Sequence, residues 1–336
     1  MKDDSILLGH GGGGLLSHEL VTGKFLPFFR NTVLERLEDG AVFEIDGLKL
    51  CFSTDSFVVN PVFFPGGDIG SLAVNGTVND LSMCGGTPLF LSAGFILEEG
   101  FPMIQLERII ESMAKASQDA GVQIVTGDTK VVPRGTGDGL YINTTGIGVV
   151  HYQKVVSTAS IAAGDMVILN GSIGDHGAAI LSQREELGLD TPIISDSVSL
   201  NGLVRDVLEA SLNVHAMRDA TRGGLGGILA EIADQSGCQI VLEEGSIPVK
   251  DAVKGVCEIL GFDPMFLANE GKMVLFCSRE DSQRVLEAMK AHPYGREAAI
   301  IGRVEKKGTG RLVLNTVVGG SRVIDLPAGE LVPRIC

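Results

Sequence analysis

The sequence predicts a two-domain α+β protein with a trailing C-terminal tail. Three observations predict it. A chain of 336 residues is roughly two ordinary domains of about 150 residues each. Strand-like and helix-like apolar patterns alternate along both halves, so that the two units are alike in size and element mix. A proline-containing segment closing on "LVPRIC" follows the second unit. The expected boundaries are 1–155 for the first domain, 156–322 for the second and 323–336 for a mobile tail.

The first domain opens its patterned region with "AVFEIDGLKLCFSTDSFVV". This reads as two strands joined at Asp46-Gly47, a pair suited to the positive backbone angles of a tight hairpin. The second of these strands runs into Asp55. In "PMIQLERIIESMAKASQDAG", Met103, Leu106, Ile110 and Met113 recur at helical spacing, with Pro102 at the start and Gly121 at the exit. The spacing predicts a helix. "VQIVTGDTKVV" and "LYINTTGIGVV" then read as strands. In the second domain "AAGDMVILNGS" begins a new strand, and helices around Leu203–Leu212, Leu225–Ala233 and Val285–Met289 alternate with strands at Gln239–Leu242 and Met273–Cys277.

A hydrophobic share of 44% describes a chain that buries a core. Its net charge of -15 argues against a nucleic-acid or anionic-membrane surface, because phosphate backbones are bound by clustered Lys and Arg. No apolar run approaches the roughly 18 residues of a membrane span, and "MKDDSILLGH" lacks the basic-then-apolar order of a signal peptide. The cytoplasm is the expected compartment. Cys51, Cys84, Cys238, Cys257, Cys277 and Cys336 form no CxxC pair, so reduced thiols are expected. No histidine has HExxH or HxxxH spacing, and no zinc site is expected.

Three carboxylates fall at predicted strand ends or beyond turns: Asp55 in "FSTDSF", Asp80 in "GTVNDL" and Asp128 in "VTGDTK". Each alone is more often a turn or cap residue. Together, with Lys130 beside Asp128, they suit Mg²⁺ bound to nucleotide phosphates, since oxygen-only ligation neutralises converging carboxylates. No GxxxxGK[ST] occurs, so ATP would need a different fold from the P-loop. "GHGGGG" at 9–14 formally satisfies GxGxxG, but only Ile6–Leu8 precede it, too little for the strand of a dinucleotide fingerprint. A glycine arm whose Gly11, Gly12 and Gly13 amides close over phosphates is one reading, and a frayed terminus is the other.

"NDLSMCGGTP" resembles the D-x4-G-A-x-P signature of the ATP-binding superfamily that includes aminoimidazole ribonucleotide synthetase, selenophosphate synthetase and thiamine-monophosphate kinase, with Gly86 in place of the usual alanine. The strings around Asp55 and Asp128, and "NGSIGDHGAAIL" and "RDATRGGLGGIL" in the second domain, extend the resemblance over the whole chain. Within the superfamily, the closing "PRIC" is similar to the HypE family of hydrogenase maturation factors.

That resemblance implies a PurM-like fold, a homodimer paired through its N-terminal domains, and ATP with Mg²⁺ near the interface. It implies that Cys336 receives a carbamoyl group from a HypF-like carbamoyltransferase and that ATP drives dehydration to a thiocyanate. A HypC–HypD-like iron scaffold then accepts the cyanide. On the same basis Asp55, Asn79, Asp80 and Asp128 are expected at the metal-nucleotide site, Lys130 at the transferring phosphoryl group, and Glu270 as the base. Spacing alone pairs Glu270 with Lys272 instead. From Asp325 to Cys336 an extended tail spans up to about 36–40 Å, enough for one thiol to visit two active sites, while Pro327 and Pro333 limit its disorder. The rival readings are a selenophosphate-synthetase-like phosphoryl-transfer enzyme, disfavoured because the arm carries no cysteine before Cys51, and a non-catalytic nucleotide-dependent adaptor.

Overall fold

The computed structural model describes residues 5–184, 191–329, 332 and 334–336; Met1–Asp4, Leu331 and Pro333, which entered the sequence expectations, lie outside them. An N-terminal arm carries the short helices α1 (Leu15–Leu20) and α2 (Leu26–Phe29). The first domain is a five-stranded sheet in the order β1-β2-β7-β5-β6. Its strands are β1 (Ala41–Ile45), β2 (Leu48–Phe57), β5 (Gly86–Glu98), β6 (Gln123–Val132) and β7 (Leu140–Val150). A two-residue ladder of β3 (Phe63–Phe64) and β4 (Gly67–Asp68) leads into the helix α3 (Ile69–Met83).

The predicted hairpin forms with Asp46 and Gly47 both at positive φ, 51° and 81°, and pairs Ala41 with Phe52. α3 starts because the Asp68 carboxylate accepts the Gly70 and Ser71 amides at 2.8 and 3.0 Å, satisfying donors that a helix start leaves open. It is apolar nearly all round and buried on nearly every side. The amphipathic α4 (Met103–Ala120) packs on it and stops at Gly121, φ 71°. The helix matches expectation but its buried stripe does not. Met103 and Ile110 are exposed, while Ile109, Met113, Ala116 and Ala120 face inward. The rotation follows from Gly70: a Cβ there would stand 2.5 Å from the Ile109 carbonyl oxygen, so α4 approaches α3 through a glycine notch that periodicity does not reveal.

The second domain is a seven-stranded sheet, β14-β13-β10-β12-β8-β11-β9. Its strands are β8 (Met166–Leu169), β9 (Val214–Asp219), β10 (Cys238–Glu243), β11 (Met273–Cys277), β12 (Ala299–Lys307), β13 (Leu312–Asn315) and β14 (Ser321–Ile324). Helices α5 (Asp175–Ser182), α6 (Asn201–Ala210), α7 (Gly224–Ser236), α8 (Asp251–Leu260) and α9 (Ser282–Ala291) complete it. β14 straddles the expected start of the tail at residue 323. The two domains share one apolar core, in which Ile69, Leu72 and Ile109 pack in the same cluster as Ala178, Leu267, Val332 and Ile335. No described helix is long and apolar enough to cross a membrane.

Candidate active site

At the junction of the domains lies a cavity of about 260 Å³ lined by Asp55, Asp80, Asp219, Arg222, Glu270 and Cys336, among others. Each acid arrives on a different element. Asp55 lies near the end of β2 and Asp80 on the last turn of α3, where Ser53 Oγ donates to its Oδ2 at 2.6 Å. Asp219 closes β9, and Glu270 lies just before β11. Asp196 fixes the Glu270 loop by accepting the amides of Glu270 and Gly271 and the Lys272 ammonium, the last at 2.9 Å. Lys272 is therefore the partner of Asp196, which leaves the Glu270 carboxyl turned into the cavity.

The electrostatics are those of crowded carboxylates in a poorly hydrated space. Burial, then the charges of Asp219, Asp55 and Asp39, hold the Asp80 carboxyl well above its usual range. Burial, then repulsion from Asp219 and Asp196, does the same for Glu270. Asp219 is raised by burial and by Asp39. Asp39, ion-paired to Arg218 at 2.5 Å, is still pushed up to about 6 by burial. Three buried oxygens of the lining, Asp39 Oδ2, Asp219 Oδ2 and Glu270 Oε1, have no hydrogen-bond partner among the described residues. Buried acceptors of this kind are expensive unless a cation or donor meets them.

These features fit a hard divalent cation carried in on phosphate oxygens. Among the described residues no three His, Cys, Asp or Glu converge closely enough to hold an ion alone. Mg²⁺ ordinarily takes one or two carboxylates and completes its shell with phosphate and water.

The last residues of the tail reach this cavity along the Val58–Asn60 backbone, with Arg334 in the left-handed region at φ 52°. Val58 donates its amide to the Cys336 carbonyl at 3.0 Å, and Asn60 donates to the Arg334 carbonyl at 3.1 Å. Arg334 Nε donates back to the Val58 carbonyl at 2.9 Å, and its guanidinium pairs with Asp138. Val332 and Ile335 are buried. Arg222 Nη1 donates to the Gly11 carbonyl at 2.9 Å, and Leu15 donates to the Pro327 carbonyl at 3.0 Å, which ties the glycine arm to both cavity and tail. The approach is close enough that a Cβ on Gly14 would stand 2.4 Å from the Pro327 oxygen.

Of the residues singled out in the sequence, the fold brings together Asp55, Asp80, Glu270, Cys336 and Gly13, while Gly12 lines a small adjoining hollow with Arg222 and Ile335. Asn79 takes a different position. Its amide donates to the Val198 and Glu270 carbonyls and accepts the Leu200 amide, so it anchors the second domain behind the cavity rather than lining it. Asp128 and Lys130 are also elsewhere within the single chain. They lie on β6 at the sheet edge, both exposed, with Lys130 Nζ 2.6 and 2.7 Å from the Asp128 oxygens. Sequence reasoning passed over Asp39, Arg218, Asp219 and Arg222. The last three stand in "RDATRGGLGGIL", a string whose glycines drew attention away from its charges.

Comparison with known proteins agrees over the whole chain. Residues 37–150 match the family of AIR synthase related protein, N-terminal domain, and residues 162–315 its C-terminal domain. The chain is 50% identical to carbamoyl dehydratase HypE of Azotobacter vinelandii, covering 100% of this chain and 98% of that protein. It is 45% identical to the protein of the same name from Escherichia coli K12, covering 99% and 100%. Among solved structures, one of a HypE-HypF complex matches at 48% identity with a TM-score of 0.87, covering 92% of this chain and 99% of that one. Another, of hydrogenase maturation protein HypE in complex with ATP, matches at 46% identity with a TM-score of 0.83, covering 99% and 100%. A thiamine monophosphate kinase at 18% identity and a TM-score of 0.69, covering 89% of this chain and 97% of that one, shares the fold.

Proposed function

The chain belongs to the HypE family of carbamoyl dehydratases, proteins of hydrogenase maturation, and from that membership we propose that it uses ATP to dehydrate an S-carbamoyl group borne on its own Cys336. The single observation that carries this reading is the position of Cys336 inside the carboxylate cavity beside Glu270. An amide oxygen leaves poorly as hydroxide. Transfer of the γ-phosphoryl group to the carbamoyl oxygen, with loss of one N–H proton, gives S–C(=NH)–OPO₃. Loss of the second proton with expulsion of phosphate leaves S–C≡N, ADP and inorganic phosphate. The test is the mass of the C-terminal peptide after carbamoylation and then ATP. A peptide that keeps the full carbamoyl mass while ATP is present sinks the reading.

In this scheme Glu270 takes the nitrogen protons through an oxygen that no protein group occupies. Arg222, the cation facing Cys336, Asp55 and Glu270, balances charge at the reacting group. Asp55, Asp80 and Asp219 would hold the Mg²⁺ of the nucleotide, which supplies neutralisation of the triphosphate. Because burial raises Asp55, Asp80 and Asp219, with repulsion from neighbouring carboxylates adding to it for Asp80 and Asp219, cation loading displaces protons from them, and affinity for MgATP is expected to rise with pH. Titration calorimetry in two buffers of different ionisation heat should show proton release on MgATP binding, and a binding heat that does not depend on the buffer would overturn this. Asp80→Asn should lose about 10-fold or more in MgATP affinity; wild-type affinity in that variant would return Asp80 to a helix-end role.

The donor of the carbamoyl group is a HypF-like carbamoyltransferase, and the acceptor of cyanide a HypC–HypD-like iron scaffold. A second copy of the chain pairs with the first through β6. All but the last residue of that edge strand are exposed, including Ile124, Val125 and Val131, and an open apolar edge of this kind is normally covered. Such pairing brings Asp128 and Lys130 to a shared face, where they can meet the partner's nucleotide. Val131→Glu is expected to convert a dimer to a monomer in light-scattering chromatography. A wild-type protein that runs as a monomer at micromolar concentration removes the pairing and the roles of both residues with it.

A further inference from the structure

His176 grips the tail from the side opposite the Val58–Asn60 backbone. The carbonyls of Arg334 and Cys336 accept the amides of Asn60 and Val58, and the Ile335 carbonyl between them turns away from that backbone. There it meets His176 Nε2 at 2.7 Å. A carbonyl only accepts, so Nε2 carries the proton. Nδ1, 2.7 Å from Ser195 Oγ, is then the acceptor of that hydroxyl. The ring is fully buried, edge-on to Phe64 at 5.4 Å between centroids.

The support is itself rigid. Ser195 donates its amide to the Pro65 carbonyl at 2.7 Å, and Gly66, at φ 97°, leaves room for this loop, since a Cβ there would stand 2.8 Å from the Ser195 oxygen. His176 follows Gly174, φ 83°, at the start of α5. Thus a side chain from the second domain and a backbone edge from the first close on the three residues that end in Cys336.

We propose that His176 is a positioning residue for the dehydration: by holding the Ile335 carbonyl it fixes where the sulfur of Cys336 presents its carbamoyl group to Glu270 and the phosphoryl donor. This rests on the dehydration reading above and adds to it a residue that touches neither nucleotide nor reacting atoms. The partner's carbamoylation step takes place with the tail withdrawn, so it does not use the His176 contact. The two steps therefore respond differently to its loss, which a merely structural role would not produce.

The experiment follows the C-terminal peptide by mass in the full-length protein, in three readouts. His176→Phe keeps the ring and removes the donor. It should accept a carbamoyl group at the wild-type rate or faster, then dehydrate it on the order of 10²-fold more slowly, the size of effect expected from misplacing a reacting group. Iodoacetamide should label Cys336 of the unmodified variant roughly 10-fold faster than wild type, as one lost hydrogen bond loosens docking. His176→Gln, which can still donate to the carbonyl, should recover most of both properties. Ser195→Ala, a milder change that frees the tautomer, should fall between and serves if the Phe variant does not fold. Dehydration by His176→Phe at the wild-type rate, or carbamoylation and dehydration slowed equally in every variant, overturns the proposal. If wild type itself never yields thiocyanate, the dehydration reading fails, and the positioning role falls with it.

Discussion

Cys336→Ala is expected to abolish carbamoylation altogether while leaving fold and ATP binding nearly unchanged. The tail is held mainly by backbone groups of residues 334–336 and by the side chains of Val332, Arg334 and Ile335, which the substitution leaves in place, while Cys336 itself packs only at the edge of the core. Trimming one partly buried side chain should therefore cost about 1 kcal/mol or less. No other thiol is suited to take over. Cys51, Cys84, Cys238, Cys257 and Cys277 are all buried. Burial pushes the thiols of Cys51 and Cys257 up to about 11 and that of Cys277 to about 12, and Cys84 well above its usual value, which starves each of thiolate. The check is intact mass followed by peptide mapping after incubation with the carbamoyltransferase, its substrates and ATP. A carbamoyl group found on any other cysteine of the variant would remove the assignment.

Glu270→Gln should separate acceptance of the group from its dehydration. The variant keeps the backbone amide contacts to Asp196 that shape the loop, and loses only the charge and the proton-accepting oxygen. On the proposed scheme carbamoylation takes place in the partner's site and should proceed normally. Dehydration should slow by about 10²–10⁴-fold, the usual contribution of a general base. Carbamoyl protein then accumulates over times at which wild type is already thiocyanate. Stability should rise or hold, because a buried carboxyl raised by its acidic neighbours is replaced by a neutral amide. Dehydration at the wild-type rate would give the base's role to another group.

What the sequence disclosed was local or chemically distinctive. Asp46-Gly47 names its hairpin, and Met273–Cys277 is a strand with the expected limits. Asp55, suspected at a strand end, lies near the end of β2, whereas Asp80, expected at a strand end or turn, is carried on the last turn of α3. What stayed hidden depended on distant packing. The hydrogen bond from His176 to Ile335 joins residues 159 apart, and the Arg334 contact with Val58 spans 276. Spacing favoured Lys272 for Glu270, and only the fold reveals Asp196 standing between them. Asp128 and Lys130 were grouped with the cavity acids because they share a motif style, yet β6 carries them to the sheet edge.

If Cys336 is loaded in a partner's site as proposed, the seated tail makes the protein a competitor of its own donor enzyme. A tail bound in cis occupies its groove at an effective concentration fixed by the chain, so dilution does not release it. The carbamoyltransferase can engage only the withdrawn fraction. If the seated form outweighs the withdrawn one by about 100-fold, the apparent affinity between the two enzymes is weakened by about the same factor. Each hydrogen bond to residues 334–336 thus sets two quantities in opposite directions: how long the loaded group stays for dehydration, and how rarely the empty thiol is offered for loading.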